Sequence, residues 1–507
     1  MDGDNSSTNS TFRSNHFDLL LLIAAGTFIL LSFYNLSGWL MDDDEGTDFY
    51  EVWQLQEGQQ PGIDYVAEQQ PLFLHLGKEI VNRFGRSPLA LRVPATVQLL
   101  LGSFILVIVI RKVWGSKIAL MSLILLLSSP TVFEQARLFR PDPMMMGWEM
   151  LGLSAAIMAV TQKKCLWWAF SGAFYGVSIL WKLFGVFPIV GLIFFFGYNL
   201  WHYRNDTKEL KAIVSDGIYF SIPFLVFSLG ISLLLYSQMG FYYVEAFQNH
   251  LQSGESVTSL GILSRPLVFF VFLIIWWNPQ FSFLFALPFF NRKRSNILAF
   301  AENKLLLFQM LSPIIFFFIT RPLHFRYFLH IFPAMAILLA LQVELTINFF
   351  KANLQQKWNT KLAYSIFLAI TLGLFLQPGF SRLLLQQEND STALASLIQE
   401  RTKSTDIVIS DYAGINFLAN RASIYEASII AGAQINAQLV TAALLMERIE
   451  ETNAQMVLVH VEGGQPPPHQ LINLVDYEQF REFLSTDFRL LTVFDRAGQQ
   501  IEVYERK

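Results

Sequence analysis

Apolar runs long enough to cross a bilayer recur from about residue 17 to residue 377, and this repetition constrains the chain more than any other feature. A helix needs roughly 20 apolar residues to span the hydrocarbon, where each backbone polar group must find its partner within the protein. The runs lie near 17–40, 89–110, 118–131, 143–160, 166–180, 184–201, 216–237, 266–290, 304–320, 327–348 and 361–378, which predicts about eleven transmembrane helices. Composition agrees: 53% of the 507 residues are hydrophobic and 15% are charged, against about 25% charged in soluble proteins. A net charge of −4 with scattered basic residues excludes nucleic acid as the expected partner. The single cysteine, Cys165, excludes an internal disulfide. Residues 1–16 are polar and the first run is long enough to stay as an anchor, so no cleaved signal peptide is expected.

Basic residues set the expected orientation. Arg111-Lys112 with Lys117, Lys163-Lys164, Arg204 with Lys208 and Lys211, Arg292-Lys293-Arg294, and Lys351 with Lys357 all fall in alternate connections. These connections are expected on the cytoplasmic side together with the tail 1–16, in a multi-pass protein of the plasma membrane. The loops 41–88, 132–142 and 238–265, the segment 321–326 and the region from 381 onward then share the outer side. Loop 41–88 is too long for a plain connection. Its segments 49–57 and 72–84 carry apolar residues at helical spacing and read as two helices lying on the membrane surface.

After residue 380 the pattern changes. Segments 406–410, 455–461, 488–494 and 501–504 are rich in branched residues and read as strands, while 390–401, 433–451 and 470–484 read as amphipathic helices. The expectation is a mostly α protein with a transmembrane catalytic domain over 17–380 and a small outer α/β domain over 381–507. Asp411-Tyr412-Ala413-Gly414 lacks the spacing of a phosphate loop, so the outer domain is expected to pack or bind instead of forming a second active site.

The first apolar run is followed at once by Met41-Asp42-Asp43-Asp44-Glu45. Four adjacent carboxylates repel one another, and ionisable groups beside a bilayer are costly without a task. The run reads either as a hydrated cap that stops the first helix or as a functional site. Other polar residues share the same side: Arg137, Arg140 and Asp142, then Lys182, then His324, Arg326 and His330. Each has a plain structural reading. Arg137, Arg140 and Lys182 suit snorkelling, His324 and His330 suit satisfied core histidines, and Met144-Met145-Met146 suits packing. Arg92 suits an ion pair with the acidic loop. Taken together, cations and carboxylates converge on one face of an apolar body. Arg and Lys donate to phosphate oxygens, a carboxylate opposite them activates a hydroxyl, and an apolar cavity open to the bilayer takes a lipid tail.

The run DDDEGTDFYEVWQLQEGQQPGIDYVAEQQPLFLHLGK resembles the first outer loop of GT-C membrane glycosyltransferases, in particular the dolichyl-phosphate-mannose protein mannosyltransferase and aminoarabinose lipid A transferase group (glycosyltransferase families 39 and 83). The shared elements are Asp44-Glu45, the aromatic-rich segment 49–55, Gly58, Pro61 with Asp64, and Pro71-Leu72-Phe73. Leu91-Arg92-Val93-Pro94, the segment 137–142, the Lys182 turn and Arg326-Tyr327 extend the resemblance over roughly 17–350. It implies inverting transfer of a sugar from a polyprenyl-phosphate donor to a protein, glycolipid or polysaccharide hydroxyl on the outer side of the membrane. By their place in the motif Asp44 is the expected general base, with Glu45 and Asp142 as further acidic positions. Lys182, Arg326, Arg137 and Arg140 are the expected phosphate ligands, and Asp64, Arg92, Tyr327 and His324 are further candidates. No cofactor is expected. Because Asp42 and Asp43 precede the usual Asp-Glu pair, a divalent cation at Asp42, Asp43 and Asp44 stands as an alternative. The competing functional class is a transporter or flippase for a lipid-linked or anionic solute, but such proteins set charges at mid-membrane and often show repeats, whereas this chain sets its charges at one face.

Overall fold

The computed structural model describes residues 7–38, 41–239, 274, 278–282, 300–317, 325–353, 391–430, 434–435, 438–462, 471–496 and 499–507. Within them the chain is mostly helical, with one small sheet near its end. The helices of the first part are α1 (Ser7–Phe33), α2 (Asp43–Gln56), α3 (Pro71–Phe84), α4 (Pro88–Trp114), α5 (Ser116–Leu127), α6 (Pro130–Gln135), α7 (Pro141–Gln162) and α8 (Cys165–Trp181). They are followed by α9 (Phe187–His202), α10 (Thr207–Leu225), α11 (Ile231–Met239), α12 (Ala301–Phe317) and α13 (Phe332–Asn353). Among the described residues six helical stretches are long and apolar enough to cross a membrane, and α5 and α8 are shorter apolar helices. The chain is thus a multi-pass membrane protein. The spans expected near 266–290 and 361–378 lie largely outside the described residues.

Local chemistry explains where the helices stop. Helix α1 reaches back through polar residues that hydropathy reads as a tail, and it ends at Phe33 instead of running to residue 40, because Asn35 takes a left-handed conformation at φ 48°. Pro223 removes a donor near the end of α10, and the ladder widens into a π turn over Val226–Gly230 before α11 resumes. Helices α4 and α7 approach at glycine, since a Cβ on Gly102 would sit 2.3 Å from the Gly147 carbonyl oxygen. At one end of the bundle Arg111 pairs with Asp18 at 2.9 Å and Lys117 with Glu344 at 2.6 Å. The opposite end carries the acidic loop.

The second part comprises α14 (Ser391–Arg401), β1 (Val408–Ser410), α15 (Ala413–Ala419), α16 (Ala442–Glu451), β2 (Met456–Glu462), α17 (Tyr477–Asp487), β3 (Phe488–Arg496) and β4 (Gln499–Arg506). The sheet order is β1-β2-β4-β3, with β1 parallel to β2 and the remaining pairs antiparallel. Strand β2 alternates between two cores. Met456 and Leu458 join α2 and α3 in one, and Val457 and Val459 join α16 and α17 in the other.

That shared core holds helix α2 in place. Phe49, Tyr50, Val52 and Trp53 are buried and contact the bundle and the terminal domain together. Phe49 stacks on Phe139 at 5.8 Å and on Phe417 at 5.1 Å. Gly46 meets Gly414 so closely that a Cβ on Gly46 would lie 2.8 Å from the Tyr412 ring. Hydrogen bonds from Tyr412 Oη to the Met41 carbonyl at 2.9 Å and from the Ser423 amide to Tyr50 Oη at 3.0 Å seal the joint.

Candidate active site

The acidic run is built as a helix start. Asp42 is the N-cap of α2, its Oδ1 accepting from the Glu45 amide at 2.7 Å, and Asp43, Asp44 and Glu45 occupy the first turn. The exposed amides and dipole of a helix N-terminus favour negative charge, which is how four carboxylates coexist here. A second helix N-terminus faces it. Arg140 precedes α7, and Asp142 lies in the first turn of α7. Lys182 falls at the break between α8 and the short turn Leu183–Val186, where its extended backbone interrupts the helix. Arg326 lies in the 3-10 turn Phe325–Ile331 that leads into α13.

These elements enclose a cavity of about 130 Å³. Asp43, Asp44 and Asp48 of α2 form one wall, and Arg140, Asp142, Lys182 and Arg326 form the other. Glu68 and Gln69 close a side, while Asp411, Ala413, Ile429 and Ile430 of the terminal domain form the roof. Arg326 pairs with Asp44, and Arg140 bridges Asp42 and Asp44, the latter at 3.1 Å. Lys182 Nζ donates to both Asp142 oxygens at 2.7 and 2.9 Å. The cavity thus has three cations set among carboxylates, and the Asp44 side chain is the most exposed of the acids paired to them, at 55%. Asp42 and Asp44, two members of the alternative cation site, are each engaged by arginine.

Other sequence candidates stand behind the wall. Glu45 receives Arg92 Nε at 2.8 Å, Arg92 Nη2 at 2.6 Å and the Phe139 amide at 2.7 Å, with both side chains essentially sealed from solvent. Arg92 Nη1 also donates to the Leu36 carbonyl at 2.8 Å. Glu45 and Arg92 are therefore an anchor that ties α2 to α4 and to the chain after α1. Arg137 donates to the carbonyls of Leu31 and Tyr34 at 2.6 Å each, satisfying the C-terminal end of α1 instead of lining the cavity. Asp64 Oδ2 accepts from the Gln60 amide at 2.8 Å within an exposed turn. Tyr327 packs edge-on against Phe184, with Lys182 Nζ 5.4 Å from its ring centre. His324 lies outside the described residues. His330 is buried and meets both oxygens of Glu149 at 2.8 Å, deeper in the bundle.

The sequence reading missed Asp48, Glu68, Gln69 and the roof. Asp48 had a signal: it follows Asp44 by four residues on one helix, which places both on the same face. Burial pushes the Asp48 carboxyl well above its usual range, nearby Glu51 and Asp44 add to this, and Arg140 and Lys182 oppose it. Glu51 itself accepts the amides of Glu68 at 3.1 Å and Gln69 at 3.3 Å, fixing the loop at the cavity edge. The roof gave no local signal, since Asp411 and Ile430 reach the cavity through the packing of a separate domain.

Glu134 beside the cavity yields a pH prediction. Burial, aided by the charge of Asp42, pushes its carboxyl up to about 7 from an ordinary 4.5, against the opposing charge of Arg140. The unfolded chain releases this proton near its ordinary value and the folded protein releases it later, so stability falls as pH rises through that window. Glu134→Gln should raise stability at pH 8 by up to about 2 kcal/mol after allowance for partial exposure, and leave it little changed at pH 4.5. Thermal unfolding at the two pH values checks this, and an equal gain at both would contradict it.

Residues 70–228 match the sequence model of the family described as dolichyl-phosphate-mannose-protein mannosyltransferase. No curated protein matches the chain in sequence. The fold is similar to that of ArnT from Cupriavidus metallidurans bound to undecaprenyl phosphate, with a TM-score of 0.65, 14% identity, and coverage of 95% of this chain and 97% of that one. It is also similar to the oligosaccharyltransferase AglB from Archaeoglobus fulgidus in complex with an inhibitory peptide and a dolichol-phosphate, with a TM-score of 0.52, 14% identity, and coverage of 88% and 69% respectively. In sequence over residues 70–228 and in fold over nearly its whole length, the chain resembles the protein mannosyltransferase and ArnT group of the GT-C superfamily.

Proposed function

We propose that this protein is an integral-membrane glycosyltransferase that moves a sugar from a polyprenyl-phosphate donor to a hydroxyl acceptor, with inversion, on the outer side of the cytoplasmic membrane. The observation that carries this reading is the cavity in which Asp44 faces Arg140, Lys182 and Arg326 at one end of an apolar bundle. The bound lipids named for ArnT and AglB are polyprenyl phosphates, which supports the donor class.

The chemistry follows from the charges. A phosphate entering the cavity competes with Asp44 for Arg326 and Arg140, because a phosphate offers more acceptor oxygens to the same donors. Losing its cationic partners raises the basicity of Asp44. The Asp44 carboxylate then takes the proton of the acceptor hydroxyl as that oxygen forms its bond to the anomeric carbon. The bond from that carbon to the phosphate oxygen breaks on the opposite face, and the polyprenyl phosphate leaves with the electron pair. Lys182 and Arg326 hold the charge that develops on the leaving oxygen, which is where preorganised electrostatics lower a barrier most. Asp142 holds Lys182 in place through its two contacts.

Lys182→Ala and Arg326→Ala should each weaken binding of undecaprenyl phosphate by about 10- to 100-fold, as expected for loss of one charge-assisted contact of about 1.5–3 kcal/mol. Binding of undecaprenyl phosphate to the purified protein in detergent checks this. Unchanged affinity in both variants would overturn the phosphate assignment.

A further inference from the structure

Asp48 belongs to no part of the scheme above, although it lines the same cavity. It lies one helical turn beyond Asp44, so their Cβ atoms are roughly 5–6 Å apart along the wall. The residue is 1% exposed, and its Oδ1 is sealed from solvent without a hydrogen-bond partner among the described residues. Such an atom leaves its desolvation uncompensated unless something enters the cavity to meet it. The charged groups that act on it are Glu51 and Asp44 of the same helix, and Arg140 and Lys182 across the cavity.

We propose that Asp48 is a sugar-binding residue, its carboxyl meeting hydroxyls of the transferred sugar between Asp44 and the phosphate-holding cations. This rests on the donor reading given under the proposed function. The space is compatible with a small polar ligand: the cavity is about 130 Å³, several times what a single water needs. The charge fits as well. Burial and the neighbouring carboxylates favour the protonated form. A neutral carboxyl both donates and accepts, which matches adjacent hydroxyls and spares the donor phosphate a further negative charge.

The test compares binding of undecaprenyl phosphate and undecaprenyl-phosphate mannose to the purified wild type, Asp48→Asn and Asp48→Leu. Wild type should bind the mannosyl lipid about tenfold more tightly than the bare lipid, Asp48→Leu should lose that difference, and Asp48→Asn should keep most of it. Affinity for the bare lipid should stay within about twofold in both variants. No mannosyl preference in the wild type, a preference intact in Asp48→Leu, or an equal fall for both lipids would overturn the sugar contact. A loss in Asp48→Asn as complete as in Asp48→Leu would overturn the neutral form. Failure of the wild type to bind the bare lipid would instead overturn the donor reading itself, which keeps the two failures apart.

Discussion

Asp44→Asn should lower sugar transfer by about 10²–10⁴-fold while leaving insertion and unfolding midpoint close to wild type. The substitution keeps the shape of the side chain and removes its basicity. It should spare the fold for two reasons. Asp44 is partly exposed, at 55% for its side chain, and the cap of α2 is provided by Asp42. Two arginines hold Asp44 before substrate enters, so Asp44→Asn should also leave Arg140 and Arg326 better placed for the donor. Lipid-phosphate affinity is therefore expected to stay equal or rise while turnover collapses. Transfer measured against donor binding on the same preparation separates these effects, and full transfer activity in Asp44→Asn would remove Asp44 as the base.

The second large effect belongs to the anchor. Arg92→Leu should destabilise the protein by about 3–5 kcal/mol, because it strands the Glu45 carboxylate in a sealed site. Glu45→Leu should do similar damage by stranding Arg92. The double variant should recover part of the loss, since an apolar pair can replace a buried ion pair at little cost. Recovery should be incomplete, because the Leu36 carbonyl loses the Arg92 donor and the Phe139 amide loses its acceptor. Unfolding midpoints of the four proteins in one detergent check this, and a double variant as unstable as the sum of the singles would contradict the pairing.

The fold was legible where the chemistry is local. Hydropathy located α4, α7 and α9 within a few residues, and branched residues located β1 to β4. Helix ends were less legible, because the Asn35 turn and the Pro223 π turn depend on single backbone choices inside otherwise apolar sequence. Helix α15 was missed because Ala413-Gly414-Ile415 carries no strong helix pattern, and its place comes from packing against α2. In the candidate site, Asp44, Asp142, Lys182, Arg140 and Arg326 were legible as charges beside apolar runs, and the cavity brings them together. Glu45, Arg92 and Arg137 carried the same signal but stand in anchoring contacts. Sequence shows that a charge lies near the membrane end, and only tertiary packing decides whether it faces a cavity or a neighbouring helix.

The acidic run divides the same way. Asp42 is a cap, but of the second helix and not of the first. Asp43, Asp44 and the later Asp48 face the cavity, and Glu45 points away to Arg92. The transporter reading keeps one distinctive consequence: a labelled solute should cross proteoliposomes with no glycosylated product. The enzyme reading expects product without transport.

The central claim, that this cavity transfers sugar from a lipid phosphate, is tested most directly by mass spectrometry of surface glycans and glycolipids. Cells are compared that carry the wild-type gene, no gene, or Asp44→Asn at matched protein level. A species heavier by one sugar residue should be present with the wild type and absent from the other two. Identical profiles in wild type and deletion, or the same product in Asp44→Asn, would contradict the account.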